Sequence, residues 1–205
     1  AMAAQKARSR SADSFANDYS DRLQIDNQTA FSGYEKTDDS VQVLTLYRDG
    51  QEVEALAAGE DGAVLLASTP FYAESGGQVG DTGLLSKTGV RFEVSDTRKR
   101  QKAFLHVGRL VEGKLVKGDK LGAQVDVARR RAVMRNHSAT HLLHAALREL
   151  LGEHVQQKGS LVNEHYLRFD FSHPQAVTPD QIRQLEQRVN EQVLANVPVT
   201  TELMD

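Results

Sequence analysis

Two hundred and five residues fit one large domain or two small ones, and 40% apolar residues supply a core, which excludes a disordered chain. The formal charge of −3 excludes a histone-like polycation, so nucleic acid has to be met by local basic patches. Without cysteine there are no disulfides, no thiolate catalysis and no cysteine-ligated metal. Apolar runs of about five residues fall far short of the roughly 20 of a membrane span. No secretory signal is read at the N-terminus, so a soluble, cytoplasmic protein is the expectation.

The elements follow in chain order. Residues 1–29 read as a helical segment, because Phe15, Tyr19 and Leu23 fall at i, i+4 and i+8 on one face, with Ile25 as a further anchor. This run of helix formers starts uncapped, which implies that the chain begins inside a longer protein. Residues 30–122 change texture to short β-type runs over 41–47, 53–57, 63–67, 90–94, 103–107 and 108–111. Turn signals at Asp49-Gly50, Asp61-Gly62, Glu112-Gly113 and Gly118-Asp119 recur at strand-length spacing, which reads as a small antiparallel β-barrel or sandwich.

After Asp126 the period becomes helical, ending near Leu151 with Gly152 as cap. A loop with Gln156-Gln157-Lys158-Gly159-Ser160 follows, then a strand in which Leu167, Phe169 and Phe171 share one face. Thr178-Pro179-Asp180-Gln181 opens another helix with a capping box, and Ile182, Leu185, Val189 and Val193 form its core stripe. Residues 197–203 read as a last strand. The class is therefore α+β: an N-terminal helix, a small antiparallel barrel over 30–122, and a two-layer α/β core over 123–205.

Asn136-His137-Ser138-Ala139-Thr140-His141-Leu142-Leu143-His144 places three histidines at i, i+4 and i+7, within about 60° of one another at about 100° per residue. Leu142, Leu143, Ala146, Leu147 and Leu150 lie on the other side. Two imidazoles at i and i+4 are half of a metal site, since their nitrogens can converge on one ion at about 2.0 Å. A solvated polar face has the same pattern, and the residues alone leave both readings open. The zinc-protease motif is excluded, because Ser138 stands where that motif needs Glu.

The histidine string, with Gln157-Lys158-Gly159-Ser160-Leu161-Val162 and Leu167-Arg168-Phe169-Asp170-Phe171-Ser172-His173 after it, closely resembles the editing domain of alanyl-tRNA synthetases. Thr69-Pro70-Phe71-Tyr72-Ala73-Glu74-Ser75-Gly76-Gly77-Gln78-Val79-Gly80-Asp81 is similar to the glycine-rich segment of the same family, and Arg129-Arg130 fits as well. Threonyl-tRNA synthetases carry a related histidine motif, but the glycine-rich segment favours the alanyl family. Gly76-Gly77-Gln78 also matches the tripeptide of peptide release factors, though there the setting is basic and here Glu74 and Asp81 flank it.

The resemblance implies an internal piece of a bacterial-type enzyme: residues 1–29 ending a tRNA-recognition region, then the barrel, then most of an editing core truncated at the C-terminus. The family charges tRNA(Ala) with alanine using ATP and Mg2+ in a separate domain, and its editing domain hydrolyses tRNA(Ala) carrying serine or glycine. It further implies a Zn2+ ion on His137 and His141, with a downstream Cys-x-x-x-His pair that this sequence lacks. Thr140 and Gln157 are the candidate catalytic residues. Unaided, Thr140 reads equally as a hydroxyl bonded back to its helix, and Gln157 as a surface residue.

Gly76, Gly77, Gln78 and Gly80 are expected to make tight turns of the barrel that bring backbone close to the site. The 3′ acceptor end of tRNA(Ala) is the expected partner. Candidate RNA contacts are Arg98, Lys99, Arg100 and Lys102, a hairpin tip in the plain reading, and Arg129, Arg130, Arg131 and Arg135, a solvated helix face in the plain reading. A freestanding editing hydrolase and a non-enzymatic RNA-binding module are the competing functions.

Overall fold

Alternation along the strands decides the first half of the molecule. In β8 (Val90–Arg100) Val90, Phe92 and Val94 are buried while Arg91, Glu93 and Ser95 are exposed, and β11 (Lys120–Val125) repeats the pattern with Leu121, Ala123 and Val125. One apolar face per strand has to be hidden, and closing the sheet on itself hides it. With β2 (Asp38–Arg48), β5 (Asp61–Leu66), β7 (Gly83–Lys87) and β9 (Ala103–Glu112), these strands pair in the order β11-β7-β8-β9-β5-β2, and β11 pairs back onto β2. The result is a closed six-stranded antiparallel barrel filled by Val41, Leu46, Val64, Leu66, Leu85, Phe92, Leu110 and Leu121.

The protein is described from a computed structural model, which covers residue 25 and residues 27–198. The expected N-terminal helix, with Phe15, Tyr19 and Leu23, lies outside them. Ile25 does act as an anchor: it is buried with Tyr47, Leu65, Ala103 and Leu105. Around the barrel, β3 (Gln51–Val53) extends β2, β4 (Ala55–Ala57) pairs antiparallel with β10 (Lys114–Val116), and β1 (Ala30–Phe31) pairs parallel with β6 (Ser68–Thr69). Between residues 40 and 110 there is no helix.

Several local expectations change. Asp61-Gly62 is the start of a strand, and the turn lies before it at Ala58-Gly59. The runs 103–107 and 108–111 are the single strand β9, while 53–57 is broken at Glu54. Strands β7 and β11, which close the barrel, are additional.

Chain contacts divide the described residues into two units, those up to 75 with 79–130, and 76–78 with 131–198. Helix α1 (Val127–Leu151) starts in the first and continues in the second. Asp126 caps it by accepting the Arg129 amide at 3.0 Å, and Gly152 ends it by donating to the Arg148 carbonyl at 3.0 Å. In the second unit, β12 (Gln156–Val162) and β13 (Leu167–Ser172) form an antiparallel hairpin, so the expected loop at Gln156 to Ser160 is a strand.

Helix α2 (Pro179–Ala195) opens with the expected capping box: Thr178 Oγ1 accepts the Gln181 amide at 3.3 Å and Gln181 Oε1 accepts the Thr178 amide at 2.9 Å. The core of this unit joins Ala146, Leu147, Val155 and Leu185, with Phe169 and Phe171 packed on it. Of the expected α2 stripe only Leu185 is buried; Ile182 and Val193 are 46% and 54% exposed. Val197 and Pro198 carry no strand, and the rest of 197–203 lies outside the described residues. Among the described residues no helix is long and apolar enough to cross a membrane.

Candidate functional site

The second unit encloses a cavity of about 100 Å3 walled by α1 on one side and the hairpin on the other, with His137, Thr140, His144, Gln157, Phe169 and Gln78 among its lining residues. Helical spacing supplies the first wall, because residues 137, 140, 141 and 144 recur at three- and four-residue steps along one face. The second wall depends on an irregularity. Gln157 and Ser160 are three residues apart, and strict alternation would send them to opposite faces. A β-bulge intervenes: Gln157 opposes Phe171 and Gly159 opposes Asp170, which leaves Lys158 as the extra residue. Gln157, Ser160 and Val162 therefore line the same cavity.

His137 and His141 stack with ring centroids 4.9 Å apart and planes 24° apart. His137 Nδ1 lies 2.6 Å from Gln78 Oε1. Burial holds the His137 imidazole below its ordinary pKa, and the neighbouring His141 pushes in the same direction. Thr140 is buried and donates its hydroxyl to the Asn136 carbonyl at 2.9 Å, so the back-bonded geometry is realised while the residue still borders the cavity. Its oxygen is left able to accept. His144 packs against Phe169, with ring centroids 5.1 Å apart, and its Nε2 is buried without a partner among the described residues.

Two imidazoles are half of a zinc donor set. Among the described residues no group of three or more His, Asp or Glu side chains could hold a metal ion, so His137 and His141 could serve as two ligands of a site completed from elsewhere.

Gly76, Gly77 and Gln78 pack in this unit rather than in the barrel. Gly76 and Gly77 have φ of 60° and 86°, and a Cβ on Gly77 would stand 2.2 Å from the Ser160 carbonyl oxygen. Only glycine allows that approach. The Gly77 carbonyl accepts the Val162 amide at 2.8 Å, and Gln78 bridges Val162 in parallel, which lays the segment along β12 as a short third strand. Gly80 belongs to the barrel unit, where a Cβ would meet the Thr97 carbonyl oxygen at 2.1 Å.

The basic residues divide by what they touch. Arg130 is spent inside the barrel unit: Nε donates to Asp81 at 3.0 Å, a terminal nitrogen also contacts Asp81, and the carbonyls of Gly33, Lys36 and Pro70 take its other hydrogens. All five donors of the guanidinium are used. Arg129 donates to the Gly80 carbonyl at 2.7 Å. Arg131 and Arg135 are exposed one turn apart on α1. Arg98 pairs with Asp96 at 2.7 Å and Arg100 donates to the Lys99 carbonyl at 3.0 Å, while Lys99 and Lys102 are exposed at the tip of the β8–β9 hairpin.

Three features of the site were not legible in the sequence: the Gln78 contact with His137, the bulge at Lys158, and the tie from the Asn136 side chain to the Asn163 carbonyl at 2.7 Å. Gln78 lies inside a motif already singled out, but no spacing rule relates it to a residue 59 positions away.

Residues 1–129 match the family model described as tRNA synthetases class II (A). The chain is 54% identical over 204 residues to the alanine--tRNA ligase of Pseudomonas fluorescens, covering all of this chain and 23% of that protein.

Proposed function

The chain belongs to the class II alanyl-tRNA synthetase family, and from that premise we propose that its helix-and-hairpin unit is a proofreading centre that cuts the ester joining a wrongly chosen serine or glycine to the 3′ end of tRNA(Ala). The observation that carries this reading is the convergence of His137, Thr140 and Gln157 on one cavity of about 100 Å3. A water occupies about 30 Å3 of liquid. The space suits a small aminoacyl group with an attacking water, which is the substrate class that a synthetase pocket for alanine cannot reject by binding alone.

Ester hydrolysis needs an aligned water and polar groups where negative charge develops on the carbonyl oxygen. Thr140 Oγ1, already committed as a donor to Asn136, is left to accept from a substrate ammonium or hydroxyl or from the water. The Gln157 amide can donate to the ester oxygen. His137 and His141 would hold a zinc ion together with ligands from outside the described residues; when bound, zinc supplies Lewis-acid polarisation of the ester. Arg131, Arg135, Lys99 and Lys102 are the exposed cations suited to tRNA phosphates. Attachment of alanine with ATP and Mg2+ is the role of the family's aminoacylation domain, and the cytoplasm is the compartment where such charging takes place.

The test is release of labelled serine from Ser-tRNA(Ala), by the chain alone and by the chain continued with the family's Cys-x-x-x-His pair. The continued protein should be active, the chain alone nearly inactive, and His137→Ala or His141→Ala in the continued protein should abolish release. Replacing Gln157 by Ala should cost about 10- to 1,000-fold, the range for one oriented donor. Equal release with and without His141 would remove the histidines from the mechanism.

A further inference from the structure

Gln78 has no catalytic duty in the reading above, yet its side chain makes the shortest polar contact in the cavity wall, 2.6 Å from Oε1 to His137 Nδ1. An amide oxygen only accepts hydrogen bonds, so the contact needs a proton on Nδ1. A neutral imidazole carries one ring proton, and Nε2 is then the ring's sole electron-pair donor. Free imidazole side chains prefer the other tautomer, so the surroundings have to impose this one.

The backbone that carries Gln78 is placed to impose it. The Gly77 carbonyl holds the Val162 amide at 2.8 Å, Gln78 bridges Val162, and the Gly77 backbone lies so close to Ser160 that no Cβ fits between them. The glutamine is thus fixed on the hairpin while His137 is fixed on α1, and Asn136, the residue before His137, is tied to the same hairpin through the Asn163 carbonyl. A side chain held at both ends in this way orients an imidazole as outer partners orient metal-bound histidines.

We propose that Gln78 is a positioning residue that locks His137 as the Nδ1–H tautomer, leaving Nε2 as the atom that ligates a metal or accepts a proton from water in the cavity. The purpose given to Nε2 rests on the proofreading reading, whereas the tautomer does not.

Long-range 1H–15N correlation on the 205-residue chain reports which nitrogen of His137 is protonated. The wild type should show Nδ1–H. Gln78→Met, close in length and with only a weak thioether acceptor, should return His137 to Nε2–H. Gln78→Glu, whose carboxylate only accepts, should restore Nδ1–H, an outcome that a merely space-filling glutamine would not produce. If Gln78→Met fails to fold, the wild-type and Gln78→Glu spectra still decide. Nε2–H in the wild type, or an unchanged tautomer in Gln78→Met, overturns the proposal. Zinc titrated into the chain continued with the Cys-x-x-x-His pair should bind about 10- to 100-fold more weakly in Gln78→Met. No zinc binding in any variant, with the tautomer pattern intact, would leave the Gln78 assignment standing and sink the metal reading instead.

Discussion

His106 makes the stability of the barrel unit depend on pH. It is fully buried on β9, its Nδ1–H donates to the Val64 carbonyl at 3.1 Å, and its Nε2 accepts the Thr69 hydroxyl at 2.7 Å. Thr69 Oγ1 in turn accepts the Phe71 amide at 3.1 Å. Both ring nitrogens are satisfied with a single proton, and a second would have to displace the Thr69 hydroxyl at a position closed to solvent. Desolvation accordingly pushes the imidazole down from 6.5 to about 4, and the Val64 carbonyl offsets only part of that. The unfolded chain takes up the proton first, so the stabilisation is complete above about pH 6.5 and is lost as pH falls towards 4.

At 1.36 kcal/mol per pKa unit, the full span is on the order of 3 kcal/mol, and the loss between pH 7 and pH 4.5 about 2.5 kcal/mol. Urea unfolding of the wild type and of His106→Gln at both pH values isolates the contribution, since other titrating groups cancel in the difference. The variant should be less stable at pH 7 but should lose about 2.5 kcal/mol less on acidification. Parallel pH dependences in the two proteins would refute the reasoning.

Other outcomes follow from the same geometry. Arg130→Met leaves the Asp81 carboxylate, only 6% exposed, with no cation, and should cost about 3–5 kcal/mol by urea unfolding; a loss below about 1 kcal/mol would mean that the Tyr72 amide, which already donates to Asp81 at 2.7 Å, satisfies the carboxylate without the arginine. Gly77→Ala forces a Cβ against the Ser160 carbonyl at a left-handed φ and should speed hydrogen exchange of the Val162 amide at least about 10-fold. Thr178→Ala removes one half of the capping box and should lower stability by about 1 kcal/mol, read from thermal unfolding. The dialysed chain should retain well under one zinc per molecule by elemental analysis, because two imidazoles are half a donor set.

The capping box at Thr178, the end of α1 at Gly152 and the alternating strands were legible because each is a local rule written in adjacent residues. Glycine was the main source of error. Gly62 and Gly108 read as a turn and a break, but both sit mid-barrel where a Cβ would collide with the carbonyl oxygens of Tyr47 and Glu93 at 2.7 and 1.9 Å. They mark close strand approach, which one dimension does not distinguish from a turn. Strands β7 and β11 escaped notice because they are short, five and six residues, and each contains a glycine, Gly83 or Gly122, that reads as turn punctuation, while pairing with neighbours far along the chain holds them in place. In the site, the i, i+4 histidines announced their shared face, whereas a polar stretch such as Gln156 to Ser160 gives no sign that it will pair or where its register will slip.

That slip separates fold from chemistry. Because Lys158 is an extra residue opposite no partner, its deletion would leave β12 with an unbroken ladder to β13 and a strand that is, if anything, more regular. The same deletion would set Gln157 two residues before Ser160, on the same face by plain alternation, so Gln157, Ser160 and Val162 would still share one wall. The change that would unmake the wall is a β12 that pairs regularly while keeping Lys158: Lys158 would then stand beside Phe171 on the cavity face and Gln157 would pass to the far side, so a straighter strand of the same residues would put a cation where the amide now lies.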